Sequence, residues 1–180
     1  MPTERDLIHG CKQQHPPSQE ALYRLYWSFA MSVALRYAAS REDALEVAHD
    51  AFVKAFGAMG DVDPERPFKP WFRQILVRCA IDQHRSTRRH YATLAPSDDP
   101  PEAPVHADQL GALETGEILQ LLAELSEPQR AVFNLYEVEG YSHDEIAGLL
   151  GIAVGTSRSH LTRARARLQA LYHHHIGTLS

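Results

Sequence analysis

A proline-rich stretch near the middle of the chain sets the strongest limit on how it can fold. Four prolines fall between Ala95 and Val105, at positions 96, 100, 101 and 104. Proline lacks a backbone N–H and has a fixed φ, so this density interrupts helices and favours extended, solvated backbone. So long a stretch without secondary structure is unusual inside one compact domain. We therefore predict a flexible linker over residues 91–111 between domains 1–90 and 112–180, with a solvated surface loop as the alternative.

Length and composition are those of a folded protein. The chain has 180 residues, of which 44% are hydrophobic and 23% are charged, so it can bury a core. No run approaches the ~20 apolar residues of a membrane span, and residues 1–14 lack the apolar core of a secretory signal. Cys11 and Cys79 have no CxxC spacing. We expect a cytoplasmic protein with reduced thiols and no membrane insertion.

The charges are segregated along the chain. The formal net charge is −5, which by itself argues against a general nucleic-acid binder. Residues 66–90, however, carry seven Lys or Arg and one acid, a net charge of +6. Residues 91–118 carry six acids and no Lys or Arg, and residues 151–172 carry four Arg and no acid. Two cationic segments therefore flank the anionic, proline-rich one.

Hydrophobic periodicity predicts helices throughout the first half. Apolar residues recur at steps of three and four, which is one face of a helix. The three predicted faces are Leu22, Leu25, Tyr26, Phe29, Val33 and Tyr37; Val47, Ala48, Ala51, Phe52, Ala55 and Phe56; and Phe68, Trp71, Phe72, Ile75, Leu76 and Cys79. Ser18 is the candidate N-cap of the first, and Ser40 to Asp43 has capping-box spacing before the second. No segment alternates as a strand does, so we predict an all-α protein.

The second half shows the same helical pattern with shorter elements. Ser126 to Gln129 and Ser142 to Glu145 both have capping-box spacing. Gly140 and Gly151 are placed to end the helices that precede them. These signals predict two short helices followed by a further helix.

The last of these helices has an informative outer face. Leu161, Ala164 and Leu168 point inward at steps of three and four, whereas an acid-free stripe lies opposite. That stripe contains Arg158, Ser159, Thr162 and Arg163, with Thr156 and Arg165 at its edges. Arg can bond guanine edges in a bidentate way, Ser and Thr hydroxyls bond several bases, and further Arg binds phosphates. A DNA-reading helix-turn-helix is predicted, with a solvated basic face as the alternative.

Motifs in both halves resemble the extracytoplasmic-function (ECF) sigma factors, small promoter-recognition subunits of bacterial RNA polymerase. The resemblance rests on their residues, order and spacing. The motifs are Asp43 to Phe56, Pro67 to Phe72 with Cys79 to Asp82, Leu125 to Arg130, Glu139 to Ala147, and Gly155 to Ser159 with Arg163 to Arg165. The resemblance implies no cofactor and no catalytic residue, because polymerisation belongs to the polymerase.

The resemblance implies a partner face on the second helix. In the family this helix docks on the clamp helices of the largest polymerase subunit, which here assigns Asp43, Glu46, His49 and Asp50 to core polymerase. These polar residues also lie opposite Val47 in the helical pattern, as a solvated face would. His49 stands where the family often has glutamine.

The resemblance also implies minus-ten recognition. The family's third helix and the loop before it open this promoter element and hold an unstacked base of the single strand. Cationic and planar groups suit that task, because base stacking contributes about 1–3 kcal/mol per base. The candidates are Phe68, Lys69, Arg73, Arg78, Arg85 and Arg88, whereas Trp71 and Phe72 are interpreted as core residues. Arg78 replaces a frequent asparagine.

By the same resemblance, the helix-turn-helix reads the duplex minus-thirty-five element. Arg158, Ser159, Thr162 and Arg163 would contact bases, and Thr156 and Arg165 the backbone. Ser157 stands where valine is frequent. The acidic linker would thread near the polymerase active centre, and an anti-sigma factor is an expected further partner.

Two other functions fit parts of the sequence. A dimeric helix-turn-helix regulator would account for the second half but not for the cationic block at 66–90. A helical metal-dependent hydrolase would use some of the 11 histidines, but no HExxH, GxxxxGK or GxSxG motif is present. His173 to His175 are interpreted as an exposed polar tail, so we predict no metal site and no enzyme activity.

Overall fold

The computed structural model describes residues 2–94 and 116–178, without the side chains of 88, 90–94, 116–117 and 174–178. Within those ranges the chain is helical and contains no strand, which confirms the predicted all-α class. Its contacts divide it into a first unit, Met1–Ala34 with Glu42–Ala80, and a second unit, Leu35–Arg41 with Ile81–Ser180. The proline-rich stretch lies outside the described residues.

Four helices and one 3₁₀ turn build the part of the chain before that stretch. They are α1 Glu4–Lys12, α2 Pro16–Tyr37, α3 Arg41–Gly57, the 3₁₀ turn Met59–Asp61 and α4 Phe68–Leu94. Helix α4 thus continues four residues beyond position 90, where we placed the end of the first domain.

The core of the first unit is aromatic. The ring centroids of Tyr26 and Phe68 are 4.9 Å apart, those of Phe52 and Phe72 are 4.7 Å apart, and those of Phe68 and Phe72 are 5.4 Å apart. Such pairs add about 0.5–1.5 kcal/mol beyond the area that they bury. The rings therefore join α2, α3 and α4 in one cluster.

One predicted core residue of α2 is wrong. Leu25 is 56% exposed, although it belongs to the apolar pattern. The buried row runs through Leu22, Tyr26, Ala30 and Ala34, which are four residues apart and so lie along one ridge of the helix. Small alanines let α2 pack closely along this ridge, and Leu25 falls beside it.

Helix α1 folds back on the start of α2. Thr3 and Asp6 form a capping box at its first turn, and Leu7, Ile8 and Cys11 are buried. A Cβ on Gly10 would lie 2.1 Å from Oγ of Ser18, so the close approach requires glycine. Ser18 is not the N-cap that we predicted, because α2 begins at Pro16; its Oγ lies 2.9 Å from His15 Nδ1 instead.

The described helices after the proline-rich stretch are short until the last. They are α5 Gly116–Ala123, α6 Glu127–Phe133, a π-helical turn Asn134–Val138, α7 His143–Leu150 and α8 Val154–Thr178. Leu122, Leu125 and Ala164 form a buried cluster, against which Phe133 and Leu168 pack. One side of α8 therefore packs on this cluster, and the opposite side faces solvent.

The predicted boundaries of α7 are confirmed. Ser142 and Glu145 form a reciprocal capping box, and Gly151 ends the helix with φ at 66°, a left-handed conformation that glycine adopts without strain. Ser126 does occupy the N-cap of α6, but among the described residues its side chain caps no backbone N–H. No helix in the described part of the chain combines the length and apolarity that a membrane crossing requires.

Candidate nucleic-acid interface

Helix α8 presents the predicted polar stripe to solvent. All six residues assigned to the minus-thirty-five element are exposed: Thr156, Arg158, Ser159, Thr162, Arg163 and Arg165. Ser157, Leu161 and Ala164 on the opposite side are at most 3% exposed. Thr162 Oγ1 donates to the carbonyl of Arg158 at 3.0 Å, one turn earlier in the helix. The structure therefore brings these six side chains onto one accessible helix face.

A partly buried polar contact joins α7 and α8. Nδ1 of His143 lies 2.9 Å from Oγ of Ser157, and the imidazole stacks on the ring of Tyr136 with a centroid distance of 4.6 Å. Ser157 is fully buried, so its hydroxyl requires a partner. The frequent valine of the family is thus replaced by a hydrogen-bonded pair, which sequence reasoning missed.

Arg165 is held by the segment before α7. Its Nε donates to Glu137 Oε1 at 2.8 Å, and its guanidinium carbon lies 5.7 Å from the centroid of Tyr136. Both partners belong to the π-helical turn. Arg165 therefore reaches the edge of the predicted DNA face with an acidic residue beside it.

The cationic side chains of α4 differ in their exposure to solvent. Lys69, Arg78 and Arg85 are exposed and Arg73 is half-buried. The side chain of Arg88 lies outside the described residues. Nζ of Lys69 is 4.7 Å from the centroid of Phe29, a cation–π contact that holds the ammonium group at the start of α4. Lys69, Arg78 and Arg85 therefore keep their cationic groups at the surface of α4.

Phe68 is not at that surface. It is 1% exposed and packs on Tyr26, Trp71 and Phe72. A ring enclosed in this way has no face for a nucleotide base, so the structure places Phe68 in the core. Phe72 is fully buried, in agreement with its interpretation as a core residue, whereas Trp71 is only half-buried.

Helix α3 has a polar outer face and an apolar inner one. Glu46, His49 and Asp50 are exposed and Asp43 is half-buried. The inner residues Val47, Ala48, Ala51 and Phe52 are at most 3% exposed. Three of the four residues assigned to polymerase are thus exposed on the side of α3 opposite its buried residues, and Asp43 is half-buried at the edge of that side.

An aromatic pair on α2 extends this outer face. The hydroxyl of Tyr23 is 3.3 Å from His49 Nε2, and the ring centroids of Trp27 and His49 are 5.3 Å apart. Val53, one turn beyond His49, is 71% exposed. The four-residue spacing of Tyr23 and Trp27 was visible in the sequence, but nothing there placed the pair beside α3.

Metal ligation receives no support from these surfaces. Among the described residues, no three His, Cys, Asp or Glu side chains are grouped so that they could hold an ion. The two cysteines are buried, and burial raises the pKa of the Cys11 thiol, which disfavours the thiolate that a metal requires.

Two regions of the Sigma-70 family match the chain, one on each side of the proline-rich stretch. Sigma-70 region 2 matches residues 22–90, and Sigma-70 region 4 matches residues 115–168. The region 4 match contains α5, α6 and α7 and most of α8, including the six exposed residues. The region 2 match begins within α2 and so leaves out α1.

Individual relatives agree with these matches. The ECF sigma factor SigE of Mycolicibacterium smegmatis is 29% identical over 85% of this chain and 61% of its own length. SigM of Mycobacterium tuberculosis is 34% identical over 72% of this chain and 64% of its own length. The chain thus spans less than two thirds of either relative. The sigma factor CnrH of Cupriavidus metallidurans is 33% identical over 72% of this chain and 73% of its own length.

A solved structure is similar over most of the chain. The sigma factor RpoE of Bartonella quintana, crystallised with the anti-sigma factor NepR, has a TM-score of 0.50 and 25% identity, covering 85% of this chain and 95% of that one. Both halves of the chain and their order match one family. The chain therefore belongs to the ECF sigma factors of RNA polymerase.

Proposed function

We propose that the protein directs RNA polymerase to promoters by binding core enzyme, opening a minus-ten element and reading a minus-thirty-five element. The observation that carries this proposal is the acid-free Arg, Ser and Thr face of α8, exposed on a helix-turn-helix. We assign residues 1–90 to the first task, residues 112–180 to the second and 91–111 to the linker between them. In this proposal the chain contributes binding, and catalysis belongs to the polymerase.

The recognition step places the exposed face of α8 in a major groove. Arg158, Ser159, Thr162 and Arg163 would contact base edges, and Thr156 and Arg165 the flanking phosphates. A bidentate Arg contact discriminates against the wrong base by about 1–3 kcal/mol. The fully buried Ser157 and its hydrogen bond to His143 support this role, because they fix the angle at which α8 leaves α7.

The opening step uses the surface of α4 and the loop before it. Lys69, Arg73, Arg78, Arg85 and Arg88 would follow the backbone of the displaced strand. The exposure of Lys69, Arg78 and Arg85 supports this assignment. Because Phe68 is buried, we leave base stacking out of its role.

Binding to core polymerase would use the outer face of α3. Asp43, Glu46, His49 and Asp50 supply polar groups, and the exposed Val53 supplies an apolar contact among them. With a net charge of −5, the free chain should bind DNA weakly. Polymerase would hold both DNA-binding surfaces over one promoter and so raise their effective concentration.

Regulation by an anti-sigma factor is part of the proposal. The similar RpoE was crystallised with such a protein. A partner that covers the outer face of α3 or α8 would compete with polymerase or with DNA. The site of action is then the cytoplasm, where polymerase and chromosome are found.

Run-off transcription on a promoter library tests the proposal. Purified core polymerase with the full chain should yield promoter-dependent transcripts that core enzyme alone does not produce. The double variant Arg158→Ala/Arg163→Ala should lose minus-thirty-five preference. Arg24→Ala is the control, since Arg24 is an exposed arginine on α2 paired with Glu20 and belongs to no predicted contact.

Two results would contradict the proposal. If core polymerase yields the same transcripts with and without the full chain, the proposed promoter recognition is excluded. Protection of symmetric half-sites by the chain without polymerase would instead indicate a dimeric regulator.

A further inference from the structure

Helix α1 contacts the segment that leads into α4 at two points and the first residue of α4 at a third. This segment, residues 58–67, is called the pre-α4 loop here. Lys12 Nζ donates to the carbonyl of Gly60 at 3.4 Å, and Arg5 forms an ion pair with Glu65. Glu4 reaches the first residue of α4 itself. The three contacts lie near the beginning, near the end and just beyond the loop, so α1 lies along it.

Glu4 is the contact that reaches furthest into the unit. One carboxylate oxygen accepts from the backbone N–H of Phe68 at 3.3 Å, and the other accepts from the hydroxyl of Tyr26. The N–H of Phe68 is among the first of α4 and has no partner within its own helix. A single side chain of α1 therefore ties the N-terminus of α4 to the core of α2.

The hydrogen bond between Glu4 and Tyr26 is anchored by the buried ring of Tyr26. Tyr26 is 8% exposed and packs on Phe68 and Phe72. Burial, together with the hydrogen bond to Glu4, raises the pKa of Tyr26, so its hydroxyl stays protonated and remains a donor. The position of Glu4 is thus set by the core and not by solvent.

Backbone packing keeps α1 in place. Gly10 lies so close to Ser18 that a Cβ would meet Ser18 Cβ at 2.6 Å. Gln14, in the turn between α1 and α2, has φ at 56°, which makes the reversal tight. Leu7, Ile8 and Cys11 are buried beneath. Helix α1 is therefore docked, although it lies outside the region 2 match.

We propose that α1 is a positioning element for minus-ten recognition, with Glu4 as the residue that sets where the pre-α4 loop and Lys69 meet the displaced strand. This inference rests on the proposed function of α4 and the loop before it. Lys69 directly follows the residue that Glu4 holds, so a shift at the N-terminus of α4 moves its ammonium group. Glu4 itself touches no DNA in this proposal.

The test measures base preference with the full chain bound to core polymerase. A promoter library randomised at both elements is transcribed by the wild type and by Glu4→Ala, and transcripts are sequenced. Loss of a charge-assisted hydrogen bond should weaken minus-ten preference on the order of fivefold. Preference at the minus-thirty-five element should stay unchanged, because α8 is untouched.

A purely structural role would give another result. Partial unfolding removes active protein, so it lowers all transcripts together and leaves both preference profiles as they were. Glu4→Gln keeps an acceptor for one of the two donors and should fall between wild type and Glu4→Ala. Should Glu4→Ala fail to fold, Arg5→Ala/Lys12→Ala removes only contacts at the surface and should weaken minus-ten preference about twofold.

Two failures can be told apart. If the wild type shows no minus-ten preference, the proposed function of α4 fails and the inference fails with it. If the wild type shows a preference that Glu4→Ala and Arg5→Ala/Lys12→Ala both leave unchanged, the inference alone is overturned.

Discussion

Nδ1 of His143, the first residue of α7, lies 2.9 Å from Oγ of Ser157, a fully buried residue of α8. The contact joins the two helices of the helix-turn-helix at the point where their angle is set. A buried hydroxyl without a partner costs about 1–3 kcal/mol, so this pair stabilises one angle between α7 and α8. The orientation of the exposed arginines depends on that angle.

A single and a double variant test the importance of this pair. His143→Leu leaves the Ser157 hydroxyl buried without its partner and should lower the free energy of unfolding by about 1–3 kcal/mol. His143→Leu/Ser157→Ala removes both polar groups, so it should be more stable than His143→Leu alone. Urea unfolding of the full chain, followed by circular dichroism, measures both values.

An exposed serine of the same helix provides the control. Ser159→Ala should change stability by less than about 0.5 kcal/mol, as surface substitutions do. A double variant no more stable than His143→Leu would show that the hydrogen bond does not couple the two residues.

Local chemistry made much of the second half predictable. Ser142 and Glu145 have capping-box spacing, and Gly151 follows the last apolar residue of α7; the structure has both features where the pattern puts them. The exposed stripe of α8 follows from helical periodicity alone, because Leu161 and Ala164 fix the inner side. Helix caps and helical faces depend on residues within one or two turns of each other, so they can be predicted from the sequence.

The burial of individual side chains depends on tertiary packing, which the sequence pattern did not reveal. Phe68 is aromatic and lies in a cationic block, yet contacts with Tyr26 and Phe72 from two helices bury it. Leu25 fits the apolar pattern of α2, but the ridge of small residues beside it is the one that packs. Glu4 gave no signal at all, since its partners are 22 and 64 residues away.

The capping box of α7 predicts a pH dependence. Hydrogen bonds from the backbone N–H and the hydroxyl of Ser142 lower the pKa of Glu145. Its folded pKa is therefore below its unfolded pKa, so the stabilisation is present above the unfolded value and is lost as pH falls through the folded one. Titration of the Glu145 carboxyl followed by NMR should show a midpoint below that of an unstructured glutamate.

Removal of the hydroxyl checks the cause of that shift. Ser142→Ala takes away the side-chain donor, so the pKa of Glu145 should rise toward its ordinary value while the backbone N–H keeps part of the effect. An unchanged midpoint in Ser142→Ala would mean that the hydroxyl does not contribute to it.

The ion pair of Arg165 and Glu137 predicts a change in the salt dependence of DNA binding. Nε of Arg165 lies 2.8 Å from Glu137 Oε1. Glu137→Gln removes the competing charge, so promoter affinity of the holoenzyme should rise. One further phosphate neutralised makes the slope of log K against log salt steeper by about 0.9.

A second acid beside α8 is the matched control. Glu124 pairs with Arg167 at 3.4 Å, and Arg167 belongs to no predicted DNA contact. Glu124→Gln should therefore leave the slope unchanged in the same measurement across four salt concentrations. Equal slopes for wild type and Glu137→Gln would show that Arg165 does not contact a phosphate.

Two glycines, one inside α7 and one just after its last residue, predict stability changes of opposite sign. Gly151 has φ at 66°, where an L side chain is strained, so Gly151→Ala should lower the free energy of unfolding by about 1–2 kcal/mol. Gly148 lies inside the helix, and a Cβ there would meet nothing within 4 Å, so Gly148→Ala should raise it by about 0.5–1 kcal/mol. Urea unfolding of both variants checks the signs. Equal changes in the free energy of unfolding for Gly151→Ala and Gly148→Ala would mean that the backbone conformation at Gly151 does not determine where α7 ends.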